Sequence, residues 1–390
     1  MARAITSTSK WVTCSIRSKP AAIDVPGRKN PTPGMASRRS RTRFFHAMPP
    51  ISLYGSKLSK SAGRIAEKPA VLPSTAAAAW SEEELRIVEQ DLEGDDLPGR
   101  WSQEVLDEDV KVLTKFRSRH NLVQVLEISR RADSTLAGSR VLLLDRPGNI
   151  HSVHFFFKVL TGSYYDSFAM LPPLIPPGPI AILGLGAGTA ARIIHHFWPR
   201  LEIHGWEMDA SVVGVGRRYF GMLDLENGKP SDLAGMDEDE EDNDSGYCSG
   251  EELGKLVVHI GDALARDAVV QGGFAGIIVD LFWQGRVIAP LQRARTWREL
   301  GERLKPGGRI MVNCGGSCVE AEDRRDGDAT MRETVAALME AFPGGGVSTR
   351  TFFPHDNCVA MTGAFPDLAA WRRELPKCLW PSVSEWRPTS

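Results

Sequence analysis

Hydrophobic positions change rhythm along the chain. Residues 121–128 (NLVQVLEI), 139–145 (SRVLLLD) and 151–156 (HSVHFF) are short apolar runs, and the turn-forming RPGN at 146–149 separates the last two. Such spacing predicts a small group of strands. From residue 179 onward, apolar strands alternate with helical stretches: 179–183 (PIAIL), 201–207 (LEIHGWE), 256–260 (LVVHI), 274–279 (FAGIIV) and the end of 304–313 (LKPGGRIMVN). This is the rhythm of a parallel sheet covered by helices on both faces, so the 274–279 run is apolar throughout instead of alternating. Residues 304–308 read as a helix end and a Pro-Gly turn before the last of these strands. Runs at 347–353 and 358–362 predict a closing antiparallel hairpin. The expected fold is α/β, with a small β-rich domain ahead of a Rossmann-like sheet.

Composition marks the segments outside this rhythm. The segment 1–75 is rich in Ser, Arg, Lys, Pro and Ala, contains RRSRTR at 38–43, and carries only Asp24 and Glu67 as acids. This is the pattern of an organellar transit peptide, with a disordered basic arm as the alternative. Residues 76–120 are expected to form a helical lead-in, 121–175 the β-domain, 176–365 the nucleotide-binding domain and 366–390 a C-terminal tail. Within the third, residues 227–254 hold DEDEED at 237–242, a self-repelling run expected to be a disordered insertion. The 390 residues, 42% of them hydrophobic, are enough for about two domains. A net charge of −2 gives no reason to expect nucleic acid. No apolar run reaches the ~18 residues of a membrane span, and no C-x-x-C pair occurs, so neither membrane nor metal partners are expected.

Candidate chemistry gathers at the carboxyl ends of the expected strands. Gly184, Gly186 and Gly188 follow the first, and Glu207 ends the second, beyond an intervening helical stretch. Glycines let backbone approach a ligand closely, and a carboxylate can accept both ribose hydroxyls. A dinucleotide fingerprint requires a small residue at position 189, where Thr189 stands; the pattern is G-x-G-x-G. Asp262, followed by Ala263, and Asp280 end two further strands. Ligands of open α/β sheets bind at such ends.

The G-x-G-x-G loop resembles that of class I S-adenosylmethionine (AdoMet) enzymes. With the β-hairpin ending in LLLD at 142–145, the SYYD segment at 163–166, the LPPL linker at 171–174 and the ordered acids, the chain resembles the polyamine aminopropyltransferases. These are the spermidine and spermine synthase family of the AdoMet methyltransferase-fold superfamily. The resemblance spans roughly residues 120–365. It implies a class I AdoMet methyltransferase-like sheet with a C-terminal antiparallel hairpin. It also implies decarboxylated AdoMet as co-substrate and no metal. Gly184, Gly186, Ala187, Gly188 and Glu207 would hold the adenosine, Asp262 and Ala263 the adenine. Asp280 would take a proton from the attacking amine, and Tyr165 would orient that amine.

Two positions depart from the family. Its glycine-loop acid is Ala187 here, and the second acid of its D-x-x-D loop is Trp283; Asp166 is a candidate replacement. Three readings follow: aminopropyl transfer to a small-molecule amine, methyl transfer from AdoMet, and an inactive relative that binds adenosine ligands. Trp283 and Phe282 are expected to bury Asp280 partly and raise its pKa. A homodimer through the β-domain and a plastid, or otherwise cytoplasmic, location complete the expectations.

Overall fold

The computed structural model describes residues 109–144, 150–229, 253–316, 324–352 and 357–389. All lie within one compact unit. The basic arm, the RPGN turn at 146–149 and nearly all of the acidic insertion lie outside the described residues.

Four antiparallel strands form the first sheet in the order β1-β2-β3-β4: Val110–Arg117, Leu122–Ile128, Ser139–Leu144 and Ile150–Phe155. The helical lead-in expected over 76–120 is thus corrected at its end. Residues 110–117 read VKVLTKFR, with β-branched and aromatic side chains interleaved with lysines, and pair with β2 along its whole length. Cross-strand pairing outweighs the weak helical tendency of the lysines and leucine.

A short helix α1 (Tyr165–Phe168) and the proline linker lead into the second sheet. Its parallel part comprises β5 (Ile180–Leu183), β6 (Ile203–Glu207), β7 (Leu256–Ile260), β8 (Phe274–Val279) and β11 (Leu304–Asn313). Between β8 and β11 comes a two-stranded hairpin, β9 (Phe282–Trp283) and β10 (Arg286–Val287). Helices α2 (Thr189–Phe197), α3 (Ala210–Tyr219), α4 (Met222–Glu226), α5 (Ala294–Gly301) and α6 (Arg324–Ala341) connect these strands. The sheet closes with β12 (Val347–Thr351), β13 (Cys358–Thr362) and the short β14 (Arg387–Pro388). Spatial order is β14-β12-β13-β11-β8-β5-β6-β7, with β12, β13 and β14 antiparallel to their neighbours. This is the expected AdoMet methyltransferase-like sheet with its antiparallel hairpin. Strand order reverses between β5 and β8, which opens a crevice at their carboxyl ends.

Alternation along the central strands divides the core in two. Ile180, Ile182, Ile278 and Met311 face one layer, while Ala181, Leu183, Ile277, Val279, Ile310 and Val312 face the other. Leu304 already pairs with Phe274, and regular pairing resumes only at Arg309, so the expected Pro-Gly turn is an irregularity inside β11 and not a break before it.

The segment expected as a tail is folded. It forms α7 (Leu368–Glu374), α8 (Trp380–Val383) and the edge strand β14. Trp371 and Trp386 are buried against each other, and the Trp371 indole N–H donates to the carbonyl of Met170 at 2.9 Å. Buried Arg350 of β12 donates to Ser167 of α1 and to Glu385. Large indoles spaced too widely to show helical periodicity hid this packing. Replacing Trp371 by Ala is expected to cost about 3–5 kcal/mol, since it empties a buried site and strands a carbonyl. Urea unfolding monitored by circular dichroism measures it.

Candidate functional site

β5 ends at Leu183 and the chain turns through three glycines with positive φ: Gly184 at 90°, Gly186 at 56° and Gly188 at 90°. Gly184 must be glycine for a second reason. A Cβ there would lie 2.2 Å from the carbonyl oxygen of Asp280. This contact presses the loop against the end of β8.

The loop's N–H groups are already engaged inside the protein. Gly186 N–H donates to Glu207 Oε2 at 3.0 Å, Ala187 N–H to Ser152 Oγ at 2.9 Å and Gly188 N–H to the carbonyl of Leu185 at 3.0 Å. A pyrophosphate needs such donors free. The loop therefore suits a ligand without phosphates. Thr189, too large for a dinucleotide fingerprint, has a positive use: its hydroxyl donates to the carbonyl of Val153 at 3.1 Å and accepts from Val153 N–H at 2.9 Å. Strand β4 thus clamps the start of α2.

Glu207 stands at the end of β6, next to the loop. Its Oε1 accepts from Asp209 N–H at 3.0 Å while Oε2 accepts from Gly186. Burial raises its pKa, and these backbone bonds act in the opposite direction. Each oxygen accepts one of these bonds and keeps further lone-pair capacity for a diol. Buried Asp209 caps α3 through Ser211 N–H and accepts from Ser118 and Asn121 of the β1–β2 turn. Asp262 is exposed beyond β7, where its Oδ1 accepts from Leu264 N–H at 2.9 Å; Ala263 is buried in the second core layer. Along the lip the order is Asp280, glycine loop, Glu207, Asp262, at successive spacings of about 4.8 Å between strands.

Asp280 is the centre of a polar cluster. Asn313 Nδ2 donates to its Oδ1 and the Tyr164 hydroxyl to its Oδ2, both at 3.0 Å. Asn313 Oδ1 accepts from Gly315 N–H at 3.0 Å and from Asn357 Nδ2 at 3.3 Å, which fixes the amide's orientation. Burial raises the Asp280 pKa to about 6, against the two donors. The Tyr164 hydroxyl is itself pushed well above its ordinary value, by burial first and then by the Asp280 charge.

Several expectations need correction here. The tyrosine on Asp280 is Tyr164; Tyr165 stacks on it, with centroids 4.2 Å apart, and donates to the carbonyl of His151 at 3.0 Å. Sequence alone could not choose between adjacent tyrosines at the start of a one-turn helix. Asp166 offers no carboxylate to the crevice. It accepts from Thr161 N–H, Thr161 Oγ1 and Gly162 N–H, tying its own loop. Trp283 is 50% exposed on a hairpin whose turn residues, Gln284 and Gly285, both have positive φ. Ala187 is fully buried among Phe116, Val125, Leu142 and Val215, under the first sheet. Sequence reasoning also missed Asn313 and Asn357, because neutral amides at strand ends carry no distinctive pattern.

The crevice thus sets Asp280, whose pKa burial raises to about 6, beside the glycine loop. A probable polyamine aminopropyl transferase of Bifidobacterium longum (strain NCC 2705) is 32% identical over 196 residues, 50% of this chain. Over that stretch the chain is similar to this polyamine aminopropyl transferase. The aligned part covers 36% of that relative's length. No family model matches the chain. Similar solved structures include a probable spermidine synthase from Corynebacterium glutamicum ATCC 13032, at 17% identity, covering 67% of this chain and 86% of that one, with a TM-score of 0.46. Another is a spermidine synthase in complex with the transition state analogue AdoDATO, at 13% identity, 69% and 77% coverage and a TM-score of 0.44.

Among the described residues, no cluster of three metal-ligating side chains occurs and no helix is long and apolar enough to cross a membrane. The clamp of β4 on the loop is open to test. Ser152→Ala leaves the buried Ala187 N–H without its acceptor and is expected to cost about 1–3 kcal/mol in urea unfolding, with the fold retained.

Proposed function

We propose that the chain transfers an aminopropyl group from decarboxylated AdoMet to a small-molecule amine. The observation that carries this reading is Asp280, held by Tyr164 and Asn313 at the strand-order reversal, with a pKa near the operating range of a general base.

The residues suit the proposed ligand. Glu207 offers both carboxylate oxygens to a ribose, and the glycine loop admits close approach without demanding a phosphate. Asp262, exposed beyond β7, would accept from the exocyclic amine of the adenine. The co-substrate supplies an electrophilic carbon next to sulfonium. Asp280, held ionised in part by the Tyr164 and Asn313 donors, accepts a proton from the ammonium form of the acceptor. The freed nitrogen bonds to the propyl carbon as the carbon–sulfur bond breaks. The proton remains on Asp280 until solvent removes it, and a neutral thioether nucleoside departs. The acid-poor, basic segment 1–75 supports delivery to a plastid.

Methyl transfer from AdoMet is a second reading, favoured by Ala187. With no acid in the loop, nothing there selects a donor that lacks its carboxylate. Calorimetry with AdoMet, decarboxylated AdoMet and methylthioadenosine separates the two: tighter binding of the decarboxylated form supports aminopropyl transfer, tighter AdoMet binding supports methyl transfer, and no heat with any of them rejects both.

The pH dependence follows from the ionisation of Asp280. The base works only when ionised, so turnover is expected to rise with pH through a midpoint near 6. Tyr164→Phe removes a donor that favours the charged form, and the midpoint should move upward. Asp280→Asn should lower kcat by about 10²–10⁴-fold. Steady-state rates between pH 5 and 8 check all three, and a midpoint unmoved by Tyr164→Phe would count against the pairing of these groups.

A further inference from the structure

Two thiols lie beside the groups that hold Asp280, although the transfer chemistry uses neither. β11 ends at Asn313 and Cys314 follows it; β13 begins at Cys358, preceded by Asn357. The antiparallel register Met311↔Met361, Val312↔Ala360, Asn313↔Val359 runs on to set Cys314 opposite Cys358. Cys314 N–H donates to the carbonyl of Cys358 and Cys358 N–H to that of Gly315, each at 2.8 Å. Both cysteines are free and buried.

The side chains also meet. Both side chains lie in the second core layer, where the Cys314 thiol donates to the carbonyl of Val312 at 3.8 Å, and the neighbouring Cys358 together with burial raises the Cys314 pKa. Their immediate chain neighbours carry the bonds from Asn357 to Asn313 and from Asn313 to Asp280.

We propose that Cys314 and Cys358 form a reversible disulfide whose closure displaces Asn313 and Asn357 and loosens the cradle of Asp280. The oxidant class is a hydroperoxide. The Cys358 thiolate attacks the terminal peroxide oxygen, the O–O bond breaks, and the departing alkoxide takes a proton to leave as an alcohol, or as water from hydrogen peroxide. Cys314 then attacks the sulfenic sulfur. The S–S bond forms, the S–O bond breaks, and hydroxide leaves with the Cys314 proton as water. Two thiols give up two electrons and two protons in total, and a dithiol reductant returns them.

Geometry makes the closure consequential. Facing residues of an antiparallel ladder hold their Cβ atoms about 4.5–5.5 Å apart, whereas a disulfide requires about 3.8 Å. Closure draws the strand ends together by up to about 1 Å. Hydrogen bonds at 3.0 and 3.3 Å do not survive a displacement of that size unchanged. The inference goes beyond the transfer reading and holds whichever group is transferred.

The test uses the full chain. After treatment with hydrogen peroxide and alkylation of the remaining thiols, peptide mapping by mass spectrometry is expected to find Cys314 linked to Cys358, and no such link in Cys358→Ser. A pair that stays reduced, or Cys314 linked to a different cysteine instead, overturns the proposal. Carbon-13 NMR of the Asp280 carboxyl then compares reduced and oxidised protein. Losing the Asn313 donor should raise the midpoint from near 6 by about one pH unit, tenfold in proton affinity, and dithiothreitol should restore it. An unmoved midpoint overturns the coupling. Neither readout requires turnover, so failure here leaves the proposed reaction standing, and failure of that reaction leaves these results interpretable.

Discussion

The grip of β4 on the glycine loop is the contact from which the rest of the site follows. Ser152 accepts from Ala187, Val153 exchanges two bonds with Thr189, and a Cβ on Gly186 would lie 2.9 Å from Ser152 Oγ. Through these contacts the small sheet is tied to the glycine loop of the large sheet and is not a separate module beside it. Because the loop's donors are engaged there and at Glu207, the loop is rigid before any ligand arrives. It presents shape and a nearby carboxylate in place of a row of amide hydrogens.

The opposite wall of the loop is set by the close approach of Gly184 to Asp280, which transmits the position of β5 directly to β8. Asp280 then depends on three separate segments. Tyr164 comes from the entry to the sheet, Asn313 from the end of β11, and Asn357 supports Asn313 from the start of β13. Burial pushes the carboxyl toward neutrality, and two donors keep it from rising further. A carboxyl tuned by such a balance is sensitive to small displacements of the amides, and the proposed disulfide between the facing thiols at the same strand ends would displace them.

Much of the architecture was legible because it follows from local rules. Apolar runs with the right spacing set β5, β6, β7 and β8 in order, the acids at 207, 262 and 280 fell at strand ends, and Thr189 argued against a dinucleotide. What escaped was decided by pairing between distant segments. β1 is a strand because β2 lies beside it. The C-terminal segment folds because Trp371 and Trp386 find a shared pocket, and Trp283 is exposed because a tight hairpin turns it outward.

The sequence by itself determined the order of strands and helices, the glycine loop, and which carboxylates could meet a ligand, since periodicity and turn chemistry act over a short stretch of chain. Only the tertiary structure decided that Tyr164 and not Tyr165 serves Asp280, that Asp166 is bound up in its own loop, and that Ala187 lies under the first sheet. The physical reason is that a side chain's partner depends on which remote backbone closes over it, and that is a property of packing and not of spacing along the chain.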